Sequence, residues 1–314
     1  MKRIGVVGAT GYVGAEVVRW VMAHPELSVD VVVARSSVGE RYDTVMPGLL
    51  GLCDLHISAF DGQELAELDA VFLALPHGVS ASMMDALKGV PVVVDCARDH
   101  RHVPGWVYGQ PEWSAEALRT ADRIAAPGCF ATAIALGIAP FVAAGMVDGP
   151  VMIAAATGST GSGATPSPGT HHPLRANNLR AYKVLKHQHV PEIRAFLAGL
   201  GTAPELHFVP LSAPVDRGIL ATQFFKCKPG FDADAVLADA YAHHPAIRIR
   251  EGSPELRWVR GTGLCDLSVY RDEDTIVVLS AIANLGKGAA AQAVQAPRVR
   301  LGLDAGHPVL PHLP

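Results

Sequence analysis

No two of the five cysteines, Cys53, Cys96, Cys129, Cys227 and Cys265, stand close enough to form a Cys-x-x-Cys pair. Their odd number and scatter exclude a disulfide framework and the usual zinc-site spacings, and they point to a reducing compartment. The chain also lacks any excess of positive charge. At a formal net charge of −4 it offers no footprint for nucleic acid or for an anionic membrane. No run of about 18 apolar residues is free of a charge or a breaker, which excludes a membrane-spanning helix. Met1-Lys2-Arg3 resembles the start of an export signal, but glycines and then Glu16 and Arg19 interrupt the apolar stretch behind it. A cytoplasmic protein is therefore expected. Internal repeats are absent. The neighbours His171-His172 and His243-His244 diverge on any helix or strand, so no metal site is expected.

What is present is an ordinary globular composition, 49% hydrophobic and 18% charged over 314 residues, enough for two domains. Residues 4–7, 29–34, 70–75 and 90–94 read as apolar strands, with helices over 15–24 and 79–87 between them. Wholly apolar strands alternating with helices predict a doubly wound α/β domain over residues 1–147, rejoined by about 285–314. Residues from about 148 to 284 read differently. Strands at 151–156, 205–209, 219–226, 265–271 and 275–283, with few helices, predict an α+β substrate domain on a mixed or antiparallel sheet. The Gly/Ser/Thr/Pro stretch 157–170 is a loop long enough to suggest function. An Ala-rich helix is expected over 284–294.

Two patterns carry chemistry. Gly8, Gly11 and Gly14 are spaced G-x-x-G-x-x-G between the first strand and the first helix. There, glycines let the backbone approach a pyrophosphate at a helix N-terminus. This makes the first domain Rossmann-like. The second strand ends in Ala34-Arg35-Ser36-Ser37, with no acidic residue to hold a ribose 2′-hydroxyl. A guanidinium and two hydroxyls suit a 2′-phosphate, so NADP(H) is favoured over NAD. The second pattern is Ala126-Pro127-Gly128-Cys129-Phe130-Ala131-Thr132, followed by the apolar stretch 133–147 that reads as helix. Cys129 then sits at a helix N-terminus, where the dipole and unpaired amides favour a thiolate nucleophile. The other four cysteines read as packing residues.

With these patterns in place, the chain resembles the N-acetyl-γ-glutamyl-phosphate reductase family, within the wider aspartate-semialdehyde dehydrogenase group. Its carriers span nearly the whole chain: Gly8-Ala9-Thr10-Gly11-Tyr12-Val13-Gly14, Leu75-Pro76-His77-Gly78, Tyr108-Gly109-Gln110-Pro111-Glu112, Pro127-Gly128-Cys129-Phe130-Ala131-Thr132, Tyr182-Lys183-Val184 with His187-Gln188-His189-Val190-Pro191-Glu192-Ile193, Arg217-Gly218-Ile219 and Asn284-Leu285-Gly286-Lys287-Gly288-Ala289-Ala290. The resemblance implies cofactor contacts from the Gly8–Gly14 run with Thr10, Tyr12 and Val13, and from Pro76. It also implies a homo-oligomer, a tetramer by family habit. Two stretches depart from the family. The loop Thr157-Gly158-Ser159-Thr160-Gly161-Ser162-Gly163-Ala164 lacks the usual arginine and is extended through Pro166 and Pro168. Asp95-Cys96-Ala97-Arg98-Asp99-His100-Arg101 keeps only Asp99 and Arg101 of the common core.

The implied reaction turns an acyl phosphate into an aldehyde. Cys129 attacks the acyl carbon, phosphate leaves, and the resulting thioester is reduced by hydride from NADPH. Collapse of the thiohemiacetal needs a proton carrier near neutral pH, which suits an imidazole. His189 is the expected acid/base and His187 the substrate contact or orienter, with the reverse assignment open. On an extended segment the two would face one way; at a helix start they would diverge. Arg101 is the first choice for the phosphate or substrate carboxylate, followed by Arg175 and Arg180. The loop from Gly158 is expected to aim backbone N–H groups at the nicotinamide, and Asn284 to hold its carboxamide. Two alternatives stay open: a carrier-protein-bound aminoadipyl phosphate as substrate, and a non-catalytic NADP-binding sensor.

Overall fold

The computed structural model describes residues 1–228, 230 and 232–303. Residues 304–314, expected to close the returning C-terminal segment, lie outside the described residues. The chain divides into two units. One joins Met1–Pro127 to the segment from Ala289, and the other is Gly128–Gly288.

The first unit is built on seven strands: β1 (Lys2–Val7), β2 (Leu27–Val33), β3 (Ile57–Ser58), β4 (Ala70–Leu73), β5 (Val92–Asp95), β6 (Val107–Tyr108) and β7 (Arg123–Ala125). Their order is β3-β2-β1-β4-β5-β7-β6, with parallel pairing throughout. Residues of β1, β4 and β5 are buried on both faces, which is why these strands read as unbroken apolar runs. The helix Tyr12–Met22 follows β1 and packs its Val17, Val18 and Val21 face into the core beside the helix Ala291–Gln295. Chain direction around the sheet reverses between β1 and β4, the place where open α/β sheets bind ligands. The helix expected over 79–87 is a single α-turn, Ser80–Met83, continued as a 3-10 turn, Met84–Leu87.

The second unit carries β8 (Val147–Thr157), β9 (Arg180–Ala181), β10 (Leu206–Ser212), β11 (Ile219–Cys227), β12 (Ile247–Ile249), β13 (Cys265–Asp272) and β14 (Thr275–Ile282). They form one mixed sheet, β12-β13-β14-β11-β8-β10-β9. Burial alternates along β10 and β11, so one face is covered and the other is not. The covering element is the helix Cys129–Ala143. Every residue from Phe130 to Val142 is buried, and the helix packs on β11 and β14 and against the helices His189–Ala198 and Ala233–Tyr241. The first domain was expected to run to residue 147; packing instead assigns this helix to the second unit. A helix with no polar stripe gives no sequence cue to which sheet it serves. Pro140 sits inside it and cannot donate to Leu136 O, and the Tyr241 hydroxyl donates to that carbonyl instead at 2.6 Å. The segment expected as helix from 284 opens as a π-helical turn, Gly286–Ala290, before Ala291–Gln295. Among the described residues no helix is long and apolar enough to cross a membrane.

Candidate active site

Cys129 is the first residue of its helix. Gly128 caps it in extended conformation (φ −72°, ψ 151°) and offers no side chain to the first-turn amides. Those amides therefore face whatever sits beside the sulfur. Two neighbours press on this turn. Gly128 N–H donates to the buried Glu192 carboxylate at 2.8 Å. The His189 ring lies so close that a Cβ built on Gly128 would stand 2.3 Å from His189 Nε2. Gly288, in the π-turn, approaches from another side; a Cβ there would stand 2.9 Å from Cys129 Cβ. Gly128 and Gly288 are thus required by contact with the nucleophile's surroundings.

Cys129 lines a cavity of about 300 Å³ together with Thr157, Arg175, Arg180, Tyr182, Lys183, His187, His189 and Ser212. Its lining holds no Asp or Glu. Arg175 donates to Ser212 Oγ, to Ala213 O at 2.6 Å and to Thr157 O at 3.3 Å, all neutral partners. Burial first, and then the Arg180 charge, lower its pKa, as expected of a cation short of counter-charge. Among the described residues neither Arg175 nor Arg180 makes an ion pair. The cavity is therefore electropositive and suited to an anion. Burial also raises the Tyr182 pKa, keeping its phenol a donor.

His187 and His189 both reach this cavity, although His189 begins the helix His189–Ala198 and divergence was expected there. Their rings stand 4.8 Å apart in a T-shaped arrangement. His187 precedes the helix, and its ring is boxed by Phe130, Phe208 and Tyr182. Burial, helped by the Lys183 charge, pushes its pKa down to about 4. Nδ1 accepts the His189 N–H at 3.3 Å, so the single proton of the neutral ring sits on Nε2. His187 is a neutral hydrogen-bond donor at physiological pH. Its depressed pKa also affects folding. Between pH 6.5 and about 4 the unfolded chain binds a proton that the folded chain refuses, so its stabilising contribution is complete above pH 6.5 and lost as pH falls through that window. The melting temperature of a His187→Gln variant should accordingly fall less between pH 6.5 and 4 than that of the parent.

Three of the expected site groups have partners within their own unit. Arg101, first choice for the anion, belongs to the first unit, where its Nε donates to Ala126 O at 2.9 Å; the second choices, Arg175 and Arg180, line the cavity. The first three amides of the 158–163 loop are taken by backbone carbonyls. Gly158, Ser159 and Thr160 N–H donate to Gly218 O, Val215 O and Asp216 O at 3.0 Å each, because the loop packs onto the Val215–Gly218 backbone. Asn284 is buried, with Oδ1 accepting from Gly218 N–H at 2.7 Å and Nδ2 donating to Thr160 Oγ1 at 3.0 Å. Its amide braces that same loop. Tyr182, Ser212 and Thr157 were not expected in the site. Tyr182 lies in a stretch that carries the family resemblance and Thr157 opens the loop marked as functional, but neither was given a role, and the pairing of β8, β9 and β10 gathers all three.

The first unit holds the glycine turn. Gly8 has φ +85°, and a Cβ there would lie 2.3 Å from Ala74 O. A Cβ on Gly14 would lie 2.2 Å from Gly8 O. Ala15 N–H makes the first bond into the helix, to Gly11 O at 2.9 Å. The amides before it belong to a bare N-terminus of an 11-residue helix at the switch point of the sheet, which fits a pyrophosphate. At the end of β2, Arg35 and Ser36 are exposed and Ser37 takes φ +63°. Pro76 follows β4 and is exposed, in a loop where Gly78 N–H donates to both Asp99 oxygens at 2.8 and 2.9 Å. Residues present at the turn and at β2 thus suit a dinucleotide with a 2′-phosphate.

Comparison with known proteins agrees with both units. Residues 3–121 match the semialdehyde dehydrogenase NAD binding domain, and residues 129–284 match the semialdehyde dehydrogenase dimerisation domain. The chain is 40% identical to the N-acetyl-gamma-glutamyl-phosphate reductase of Salinispora arenicola, over 96% of this chain and 95% of the relative. It is 39% identical to the Desulforudis audaxviator protein of the same name, over 97% and 96%. Among solved structures it is similar to aspartate semialdehyde dehydrogenase II of Vibrio cholerae (TM-score 0.77, 17% identity, 95% of this chain and 98% of that one). The Candida albicans aspartate semialdehyde dehydrogenase solved with NADP is similar at TM-score 0.72 and 16% identity, covering 95% and 99%. At those identities the structures speak for the fold alone. A cysteine at a bare helix N-terminus, a paired-histidine cavity and a glycine turn agree with the relatives, which establish that this chain is an oxidoreductase belonging to the N-acetyl-gamma-glutamyl-phosphate reductase family of semialdehyde dehydrogenases.

Proposed function

We propose that the protein reduces N-acetyl-γ-glutamyl phosphate to the semialdehyde and inorganic phosphate, using NADPH, in arginine biosynthesis. The observation that carries this reading is Cys129 at a bare helix N-terminus, opening into a carboxylate-free cavity with two arginines and two histidines. Cys129 Sγ forms a bond to the acyl carbon, and the bond from that carbon to the phosphate oxygen breaks. Arg175 and Arg180 neutralise the departing phosphate or hold the substrate carboxylate. The nicotinamide, when bound, supplies the hydride. As the carbon–sulfur bond of the thiohemiacetal breaks and its hydroxyl becomes the aldehyde carbonyl, the sulfur leaves as thiolate and His189 takes the hydroxyl proton, while His187 donates from Nε2 to hold substrate. All five cysteines are free, which agrees with a cytoplasmic setting.

A homo-oligomer built through the open face of the mixed sheet belongs to the same reading. Met152, Phe224, Val277 and Tyr270 are register partners on β8, β11, β14 and β13, and form one apolar row; Met152, Phe224 and Tyr270 are 47%, 43% and 40% exposed. Such a row on an uncovered sheet face suits a second copy of the chain.

Purified protein should oxidise N-acetylglutamate semialdehyde with NADP only when phosphate is present. Failure of that phosphate dependence, with turnover of a carrier-bound aminoadipyl substrate instead, would replace this substrate assignment. Arg35→Ala should raise the KM for NADPH by about 10- to 100-fold, the worth of one or two charged hydrogen bonds, and leave that for NADH nearly unchanged. Steady-state rates with the two cofactors check it.

A further inference from the structure

The glycine turn is fixed from beneath by a residue outside every motif discussed above. Gly8 N–H and Ala9 N–H both donate to Val33 O, at 2.8 and 3.1 Å, so the first two amides of the turn point into the protein. The Ala9 carbonyl would be a buried acceptor, since Ala9 is fully buried. It accepts the Tyr42 hydroxyl at 2.7 Å. Tyr42 is itself fully buried and anchored, with its N–H on Leu55 O at 2.7 Å. Burial keeps its phenol protonated.

The planar trans peptide supplies the consequence. Its C=O and N–H point in opposite directions, so a carbonyl of Ala9 held inward turns the N–H of Thr10 outward. Thr10 is half-buried at the surface of the turn, immediately before the N-terminus of the helix Tyr12–Met22. We propose that Tyr42 is a positioning residue for dinucleotide binding: by holding the Ala9 carbonyl it aims the Thr10 amide at the pyrophosphate.

The proposal rests on the dinucleotide reading of this turn, and its test separates the two. NADPH and 2′-AMP are titrated into cofactor-free parent and Tyr42→Phe protein. 2′-AMP carries the 2′-phosphate and no pyrophosphate. The Kd for NADPH should rise roughly five- to tenfold in the variant, the worth of one oriented hydrogen bond. The Kd for 2′-AMP should stay within about twofold, because the end of β2 is untouched. Equal weakening of both ligands would mean a general loosening and overturn the proposal, as would no change in either. A parent that binds no NADPH would overturn the dinucleotide reading itself. Tyr42→Met, which refills the site with a flexible apolar chain, serves as second variant if Tyr42→Phe does not fold.

Discussion

Cys129→Ser should lower kcat for acyl-phosphate reduction by about 10⁴-fold or more, the scale of losing a covalent nucleophile. A serine hydroxyl is not ionised near neutral pH, and the helix N-terminus cannot lower its pKa far enough to replace a thiolate. The fold should survive, because burial of Phe130 to Val142 holds the helix and the substituted side chain is half-buried at its first residue. NADPH binding should survive as well, since the glycine turn belongs to the other unit. Melting temperature and NADPH titration establish both points. In the parent, mixing with substrate in the absence of NADPH should leave the acyl mass on Cys129. A variant retaining more than a hundredth of the parent rate would end the covalent reading.

His189→Asn should cost about 10²- to 10⁴-fold in kcat, the usual worth of a positioned acid/base, and should remove a limb of the pH–rate profile. His187→Asn should act mainly on KM, because His187 is neutral at working pH with Nδ1 already holding the His189 amide. The contrast between the two variants assigns the roles. Gly128→Ala supplies an independent check that leaves both histidines in the chain. Its new Cβ would meet His189 Nε2 at 2.3 Å, so the ring must move and kcat should fall in the same direction. If His187→Asn were the more damaging in kcat, the roles would be reversed.

The parts legible in the sequence were those whose signal is local. Gly8 and Gly14 are glycines because a Cβ at either would strike backbone, and that requirement shows in spacing alone. Residues 4–7 of β1, all of β4 and residues 92–94 of β5 carry no polar side chain because both faces are covered. Strands β3, β6, β7, β9 and β12, of two or three residues, carry no local signal, because such pieces are strands only through their neighbours. The π-turn at Gly286–Ala290 was read as ordinary helix, since the close approach of Gly288 to Cys129 is a tertiary contact. Which arginines line the Cys129 cavity depends on tertiary contacts in the same way. Arg101, Arg175 and Arg180 are chemically equal in sequence, and only pairing of β8, β9 and β10 puts two of them around Cys129.

By itself, then, the sequence determined the cysteine at a helix start, the dinucleotide turn and the two-domain α/β class, because each follows from the conformational limits of a few adjacent residues. Tertiary structure alone decided which unit owns the Cys129 helix, which arginines face the cavity, and which histidine is kept from taking up a second proton. Those are questions of burial and of charge in a shared low-dielectric space, and both depend on residues far apart in the chain.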